Sequence, residues 1–291
     1  MSLVVNHNLM AANVARNLNS HYSNLATSTQ RLSTGLRVNS AADDAAGLAI
    51  RELQRADIAA FHQGARNAND AISMIQVADG SLGVIDEKLI RMKELAEQAA
   101  TGTYDSVQRL MIESEYQAMA SEITRIANAT DFNGINLLDG TLSGPHNGSG
   151  LESTGKLKVH FGVGNDSAED YYYVQIGCST ASAFGLGSEV GQNISTQDNA
   201  QKALILIDKA IESKDKIRAD LGALQNRLEN TITNLNTMAE NLQAAESRIS
   251  DVDVATEMTE FVRQQILTQS AVAMLAQANS LPQMAMQLIG G

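Results

Sequence analysis

The feature that most constrains the fold is an apolar pattern in the C-terminal third of the chain. From Ala203 to Val252, residues spaced alternately four and three apart are apolar at thirteen of fifteen positions. The exceptions are Lys214 and Thr231, and the lysine can lay its aliphatic stem along the stripe while its ammonium group stays in water. The pattern predicts one long helix with a coiled-coil seam. The predicted rod seam comprises Ile217, Leu221, Leu224, Leu228, Leu235 and Leu242.

The N-terminal half of the chain carries two further stripes of the same kind. One runs from Phe61 to Ala99 and the other from Ile112 to Ile126. Proline is absent from the first 144 residues and from residues 146 to 281, so long helices can continue through both regions. Each stripe needs an apolar partner, and three antiparallel helices can bury one another.

The middle of the chain has a different composition. Twelve of the 21 glycines lie between Gly134 and Gly191, together with five of the eleven aromatic residues. Asn133-Gly134 predicts a tight turn. Alternating apolar residues in 157–161 and 172–176 predict one β-hairpin. We therefore predict a mainly α fold, in which the N- and C-terminal arms form a long antiparallel coiled-coil helical rod with a small β-hairpin-containing insert at its tip.

Residues that usually carry catalytic or metal chemistry are sparse and scattered. The five histidines have neither the spacing of a zinc-binding helix nor that of a His–carboxylate relay, and the single Cys178 excludes an internal disulfide. No phosphate-binding loop or nucleophile elbow is present. The net charge of −12 argues against nucleic acid as a partner. We predict that the protein is not an enzyme and uses no cofactor or metal.

Both ends of the chain carry amphipathic stripes outside the central ones. Their apolar members include Val14, Leu18, Leu25, Leu32, Phe261, Leu267, Leu275 and Leu281. Helices of this kind are marginal alone in water, so we expect them to pair with another copy of the chain. No apolar run is long enough to span a membrane, and no cleavable secretory signal is visible at the N-terminus.

Several blocks of the sequence resemble bacterial flagellins. Residues 31–47, Arg-Leu-Ser-Thr-Gly-Leu-Arg-Val-Asn-Ser-Ala-Ala-Asp-Asp-Ala-Ala-Gly, are similar to the N-terminal signature of that family. Further blocks match in the same order at 66–70, 132–134, 220–227, 247–249 and 275–279. The resemblance covers roughly residues 1–140 and 193–291, whereas the middle is similar only to short flagellin inserts.

The resemblance implies a structural subunit that self-assembles into the helical flagellar filament used for swimming. It also implies export in an unfolded state through the flagellar type III apparatus, to an extracellular location in the filament. The implied partners are other copies of the chain, a secretion chaperone that holds the C-terminal segment, and the filament cap and hook-junction proteins. In this interpretation the amphipathic ends form the filament core.

The same interpretation divides the chain into five segments. They are an N-terminal filament-core helix and linker (1–40), the N-terminal arm of the rod with a short β-turn region (41–140), a small surface-exposed variable insert (141–192), the C-terminal arm of the rod (193–252) and a C-terminal filament-core helix (253–291).

One surface patch is expected to bind a partner outside the filament. Residues 90–96 resemble the flagellin stretch that the vertebrate Toll-like flagellin receptor contacts, and Glu115 matches its acidic neighbour. Arg91 and Leu95 are four residues apart, so we expect them to share one helix face. Arg91, Leu95 and Glu115 are therefore the receptor-contact candidates.

Two alternative functions belong to other kinds of coiled-coil protein. A signalling coiled coil, such as the cytoplasmic hairpin of a chemoreceptor, also has long heptads, but it would show a membrane span or near-mirror arms around a tight tip. A hook–filament junction protein would share the pattern at the chain ends and match the central flagellin blocks less completely.

Overall fold

A computed structural model describes residues 8–150, 153–186 and 193–289, with the side chains of 281–283 and 285–289 excepted. Within those ranges the helices are α1 (Leu9–Thr34), α2 (Ala45–Ala100), α3 (Ser106–Ala129), α4 (Gln197–Ser250) and α5 (Val254–Ile289), with a 3₁₀ turn at Thr141–Ser143. The strands are β1 (Asp131–Phe132), β2 (Ile135–Asn136), β3 (Leu157–His160) and β4 (Tyr171–Val174). The mainly α fold with a small β insert is confirmed.

The chain divides into two compact units, and α2 and α4 each contribute to both. The terminal unit comprises the residues up to Ala56 and those from Glu240 onwards. The middle unit comprises Asp57–Ala239. Each unit has its own helix interface, and the two interfaces differ in chemistry.

Three helices form the core of the middle unit. α2 and α4 run antiparallel, because Lys93 pairs with Asp208 at 2.6 Å while Asp79, earlier in α2, pairs with the later Arg218 at 2.7 Å. Between them lies an apolar core to which α3 adds Tyr116. The long stripe of α2 supplies most of the core, and its buried members run from Ala68 through Ile75, Leu82, Ile85, Leu89 and Met92 to Ala99.

The predicted seam of α4 follows the core closely. Leu221, Leu228 and Leu235 are buried, whereas Ile217, Leu224 and Leu242 are half-buried. The four–three spacing fails at Met238, which is exposed, while the next residue, Ala239, is buried. A straight helix has 3.6 residues per turn and a strict heptad requires 3.5, so the buried face drifts along a helix of this length.

Side-chain caps determine where the helices begin. α3 starts at a capping box, in which the Asp105 side chain accepts from the Gln108 backbone N–H and the Gln108 side chain accepts from the Asp105 N–H. α2 does not begin at Ser40. The Asp43 carboxylate instead accepts hydrogen bonds from Asn39 and Ser40, which closes a turn, and the helix begins five residues later at Ala45.

The two β-hairpins are small and antiparallel. The first turns at Asn133 and Gly134, whose φ angles of 52° and 80° lie in the left-handed region that Asn and Gly tolerate. In the second, Leu157 pairs with Val174 and Val159 with Tyr172, so the predicted apolar face is formed. α2 approaches this hairpin at Gly64, where a Cβ would overlap the backbone carbonyl of Phe161. A glycine is therefore required at this crossing.

Candidate functional site

The terminal unit is built on the antiparallel pair α1 and α5. Asn8 caps α1 by accepting from the Ala11 N–H, and Gly35 ends it with φ 71°. Asp253 caps α5 by accepting from the Ala255 N–H and the Thr256 hydroxyl. Those hydrogen bonds, chiefly the one from the Thr256 side chain, lower the pKa of the Asp253 carboxyl below its usual value.

The interface between α1 and α5 is largely polar. Its buried residues include Ser28 on α1 and Glu257, Gln264 and Thr268 on α5. His21 contacts Gln264 at 3.0 Å between Nδ1 and Oε1, and the Arg31 guanidinium lies 3.7 Å from the Glu257 carboxylate. Among the described residues of this pair, Ala278 is the only buried apolar one, whereas a soluble helical hairpin usually buries leucine and isoleucine.

The apolar residues of the pair lie mostly on its outer surfaces. Along α5, Val254, Met258, Val262 and Ile266 follow one another at four-residue spacing and all are exposed, Ile266 by 57%. The exposed apolar residues elsewhere in the pair are Leu9, Met10, Tyr22, Leu267, Val272, Met274 and Met284. We call Val254, Met258, Val262 and Ile266 the outer stripe of α5. Since apolar area of this extent is rare on a monomer, its arrangement is that of a surface which another chain covers.

The predicted filament-core residues are distributed between the interface and the surface. Val14, Leu18, Leu25, Leu32, Phe261 and Leu275 are half-buried. Leu267 is exposed, and the side chain of Leu281 lies outside the described residues. The N-terminal stripe proposed from sequence therefore lies half-buried on the same face of α1 as the buried Ser28, but the exposed outer stripe of α5 was missed. The missed signal is that α5 is apolar on several faces, which one partner helix cannot cover.

A short clamp joins the end of α1 to the end of α4 within the terminal unit. Leu36 and Asp251 form an antiparallel bridge, with hydrogen bonds from Arg37 N to Ser250 O at 2.6 Å and from Val252 N to Gly35 O at 3.0 Å. Nearby, the buried Arg51 donates to the Val38 carbonyl at 2.8 Å. The flagellin-like block 31–47 thus has a structural task, because it holds a non-helical connection in one conformation.

The receptor-contact candidates fall into two environments in the middle unit. Arg91 is exposed and donates to Glu115 at 2.8 and 2.9 Å and to Glu94 at 2.9 Å, so Arg91 and Glu115 are brought together as expected. The bonds to these carboxylates, first of all Glu115, raise the pKa of the Arg91 guanidinium. Leu95, however, is only 1% exposed. The expectation that Leu95 lies on the surface beside Arg91 is wrong. Leu95 belongs to the buried face of α2, whereas Arg91 lies just outside that face.

The structure adds an apolar surface that the sequence patterns did not reveal. Val107, Leu110 and Met111 are exposed on the first turns of α3, on the side away from the buried Tyr116. Only the stripe that begins at Ile112 was considered from the sequence, since it matched the helical core period. A second apolar stripe on the same helix was the available signal.

No cluster of three or more histidine, cysteine, aspartate or glutamate side chains is arranged to hold a metal ion among the residues that the structure describes. None of the described helices has the length and apolar character needed to cross a membrane.

Comparison with known proteins identifies the family. Residues 5–143 match the bacterial flagellin N-terminal helical region, and residues 204–289 match the bacterial flagellin C-terminal helical region. The chain belongs to the bacterial flagellin family. It is 41% identical to flagellin FlaB2 of Treponema pallidum over 290 residues, covering 99% of this chain and 100% of that protein.

Other flagellins are similar over nearly the same length. The flagellin of Bacillus subtilis is 40% identical over 304 residues, covering 98% of this chain and 99% of the relative. Among solved structures, Bacillus cereus flagellin is 30% identical with a TM-score of 0.47, covering 62% of this chain and 94% of that one. The protein is therefore a structural subunit of the flagellin type, and the resemblance of its sequence blocks to that family is confirmed.

Proposed function

We propose that this flagellin polymerises into an extracellular filament for swimming, through the outer surfaces of α1 and α5. The observation that carries the proposal is the reversed polarity of this helix pair, which buries Glu257, Gln264 and Thr268 but exposes the outer stripe of α5. A pair with this arrangement gains further hydrophobic stabilisation when other copies cover its exposed apolar side chains. Each square ångström of apolar surface so covered contributes about 25 cal/mol.

The five segments then have distinct tasks. Residues 1–40 and 253–291 form the filament core, 41–140 and 193–252 form the stiff arms, and 141–192 faces outward. The small hairpin β3–β4 lies within the proposed insert, which supports its separation from the helical arms. A contact between chains in the core can be strong because it buries apolar area, while the arms depend on packing within each chain.

The proposed partners follow from the same exposed surfaces. Before assembly, a secretion chaperone shields the apolar C-terminal segment during export of the unfolded chain through the flagellar type III apparatus. At the ends of the filament, cap and hook-junction proteins cover the α1 and α5 surfaces that have no neighbouring flagellin. Met258, Met274 and Met284 are exposed on α5, and methionine side chains adapt to partners of different shape.

Recognition by the host Toll-like flagellin receptor is a separate proposal. Arg91 and Glu115 present charged groups together on the surface of the middle unit, and Ile90 beside them is exposed. Leu95 contributes from the core by holding α2 in place. Because Arg91 is already paired with two carboxylates, the receptor would have to compete with Glu94 and Glu115 for the guanidinium.

A single charge placed on the outer stripe tests the assembly proposal. We expect Ile266→Glu to abolish polymerisation, measured by seeded sedimentation and electron microscopy, because a carboxylate would be buried between chains. The matched control is Gln265→Glu, which adds the same charge at the adjacent exposed polar position. Circular dichroism should show equal helicity for both variants. Normal filaments from Ile266→Glu would contradict the proposal.

A further inference from the structure

The middle unit contains a charged residue where its seam should be apolar. Lys214 occupies a seam position of α4 between Ala210 and Ile217, yet its side chain is only 2% exposed. Its Nζ lies 2.5 Å from Asp86 Oδ1 on α2 and 2.8 Å from Asp215 Oδ1 on its own helix. The sequence-based expectation that the ammonium group reaches water is therefore wrong. A buried ion pair of this kind adds little net stability, so its presence calls for another explanation.

The apolar residues alone do not determine how α2 and α4 are aligned. On α2 the stripe from Phe61 to Ala99 repeats every seven residues, and so does the seam of α4. Sliding one helix by seven residues, about 10.5 Å at 1.5 Å per residue, would again place apolar side chains against apolar side chains. Hydrophobic burial therefore distinguishes poorly between the native alignment and one shifted by a heptad.

The charged pairs do distinguish these alignments. In the native alignment Asp79 meets Arg218, Asp86 meets Lys214 and Lys93 meets Asp208. A seven-residue shift in one direction would place Lys214 against Lys93. A shift in the other direction would place Asp208 against Asp86 and leave Arg218 beside Ile72, although Lys214 would then meet Asp79. Each shift creates a like-charge pair, and like charges in a helix interface are unfavourable.

We propose that Lys214, through Asp86, sets the axial alignment of α4 against α2 as the chain folds. Lys214 is a positioning residue: it disfavours the shifted alignment in which it would meet Lys93, although that alignment buries similar apolar area. A single buried polar residue in a coiled coil can fix the register at a cost in stability. Arg218 and Asp79 support the same choice with a bidentate pair at 2.7 and 3.1 Å.

Thiol cross-linking after refolding of the full chain tests this assignment. In a Cys178→Ser background, cysteines at 100 and 201 report the native alignment and leave Lys93 in place, and cysteines at 100 and 208 report a seven-residue shift. A short bis-maleimide links whichever pair is adjacent. We expect Lys214→Met, which no longer places a charge against Lys93, to increase the shifted 100–208 product about tenfold, as when a preference of about 1.4 kcal/mol is lost.

The matched control is Lys216→Met, which removes the same charge from an exposed position on α4. It should give only the native product, as should the parent chain. If Lys214→Met does not fold, the double variant Asp86→Leu/Lys214→Met is read in its place, because removing both charges of a buried pair is usually tolerated. If the Lys214→Met variant, or the double variant that replaces it, gives only the native cross-link, the proposal is overturned. A change in the melting temperature of that variant does not alter this conclusion.

Discussion

The α1/α5 pair and the α2/α4 pair are both antiparallel helix interfaces, but they bury opposite chemistry. Between α2 and α4, Leu221 and Leu228 pack on the apolar stripe of α2, and Lys214 is the charged exception. Between α1 and α5, Ser28, Gln264 and Thr268 are buried while the outer stripe of α5 is exposed. The first interface is complete within one chain. The second is arranged so that its apolar area remains available to other chains.

This difference explains how one chain can be both a folded monomer and a polymer subunit. A subunit whose terminal helices buried their apolar faces against each other would have little left with which to assemble. Polar contacts such as His21 to Gln264 hold α1 and α5 together loosely. Since hydrogen bonds in water contribute only about 1 kcal/mol each to stability, the pair keeps its main driving force for assembly.

The largest expected effect comes from a substitution in the α2/α4 interface. Leu228 is 0% exposed in the seam of α4, so Leu228→Ala should lower the free energy of unfolding of the dilute monomer by about 2–5 kcal/mol. The neighbouring exposed Glu229→Ala is the control and should cost less than about 0.5 kcal/mol. Denaturant unfolding followed by circular dichroism measures both. Equal losses would mean that the helix face turned towards α2 is assigned wrongly.

How far the sequence predicts such effects depends on whether one period explains a region. The stripes of α2 and α4 and the Asn133-Gly134 turn follow local rules, and most of the predicted core positions are buried. The exposure of Met238 could not be read from a heptad, because helix drift is set by the whole interface. Nor could the burial of Leu95, since only the contacts of α2 show where its buried arc ends.

The terminal helices illustrate a deeper limit. Apolar residues such as Val262 and Ile266 identify α5 as a helix that needs cover, but an amphipathic pattern does not say whether the cover comes from the same chain. Sequence reasoning therefore predicted that these ends are assembly elements without locating the exposed faces. The overlooked signal is the face of α5 that carries Gln264 and Thr268. These polar residues are buried against α1, which leaves the apolar residues of α5 on the outside.

A smaller effect is expected from an imperfection in the complete interface. Tyr116 is fully buried in the middle unit, and its hydroxyl finds no hydrogen-bond partner among the described residues. Tyr116→Phe removes that polar atom and keeps the ring, so we expect the free energy of unfolding to stay equal or rise by up to about 1 kcal/mol. A clear loss of stability, measured in the same unfolding assay, would reveal a hydrogen bond to the hydroxyl.

The same variant should change the response to alkali. Burial, and secondarily the nearby Glu113 carboxylate, raises the pKa of Tyr116 well above its usual value of 10.0. The unfolded chain can ionise the phenol near pH 10 while the folded chain cannot, so this contribution to stability is complete below pH 10 and is lost as the pH rises further. We expect the parent chain to lose stability above pH 10 more steeply than Tyr116→Phe.

The smallest expected change in monomer stability comes from a substitution in the α1/α5 pair. It tests directly whether this pair and the α2/α4 pair differ as described. Ile266→Ala deletes nearly as much apolar volume as Leu228→Ala, but Ile266 is 57% exposed in the single chain. Little buried area is lost, and alanine gains up to about 0.7 kcal/mol of helix propensity over a β-branched residue. The free energy of unfolding of the dilute monomer should therefore change by less than about 0.5 kcal/mol, in either direction.

Polymerisation should respond differently, because the same side chain is proposed to be buried between subunits. The critical concentration for seeded growth should rise, whereas Leu228→Ala should weaken the monomer first. If Ile266→Ala instead destabilises the monomer by 2 kcal/mol or more, as core deletions do, the outer stripe of α5 is already covered within one chain. The reversed polarity of the α1/α5 pair would then not describe the protein in solution.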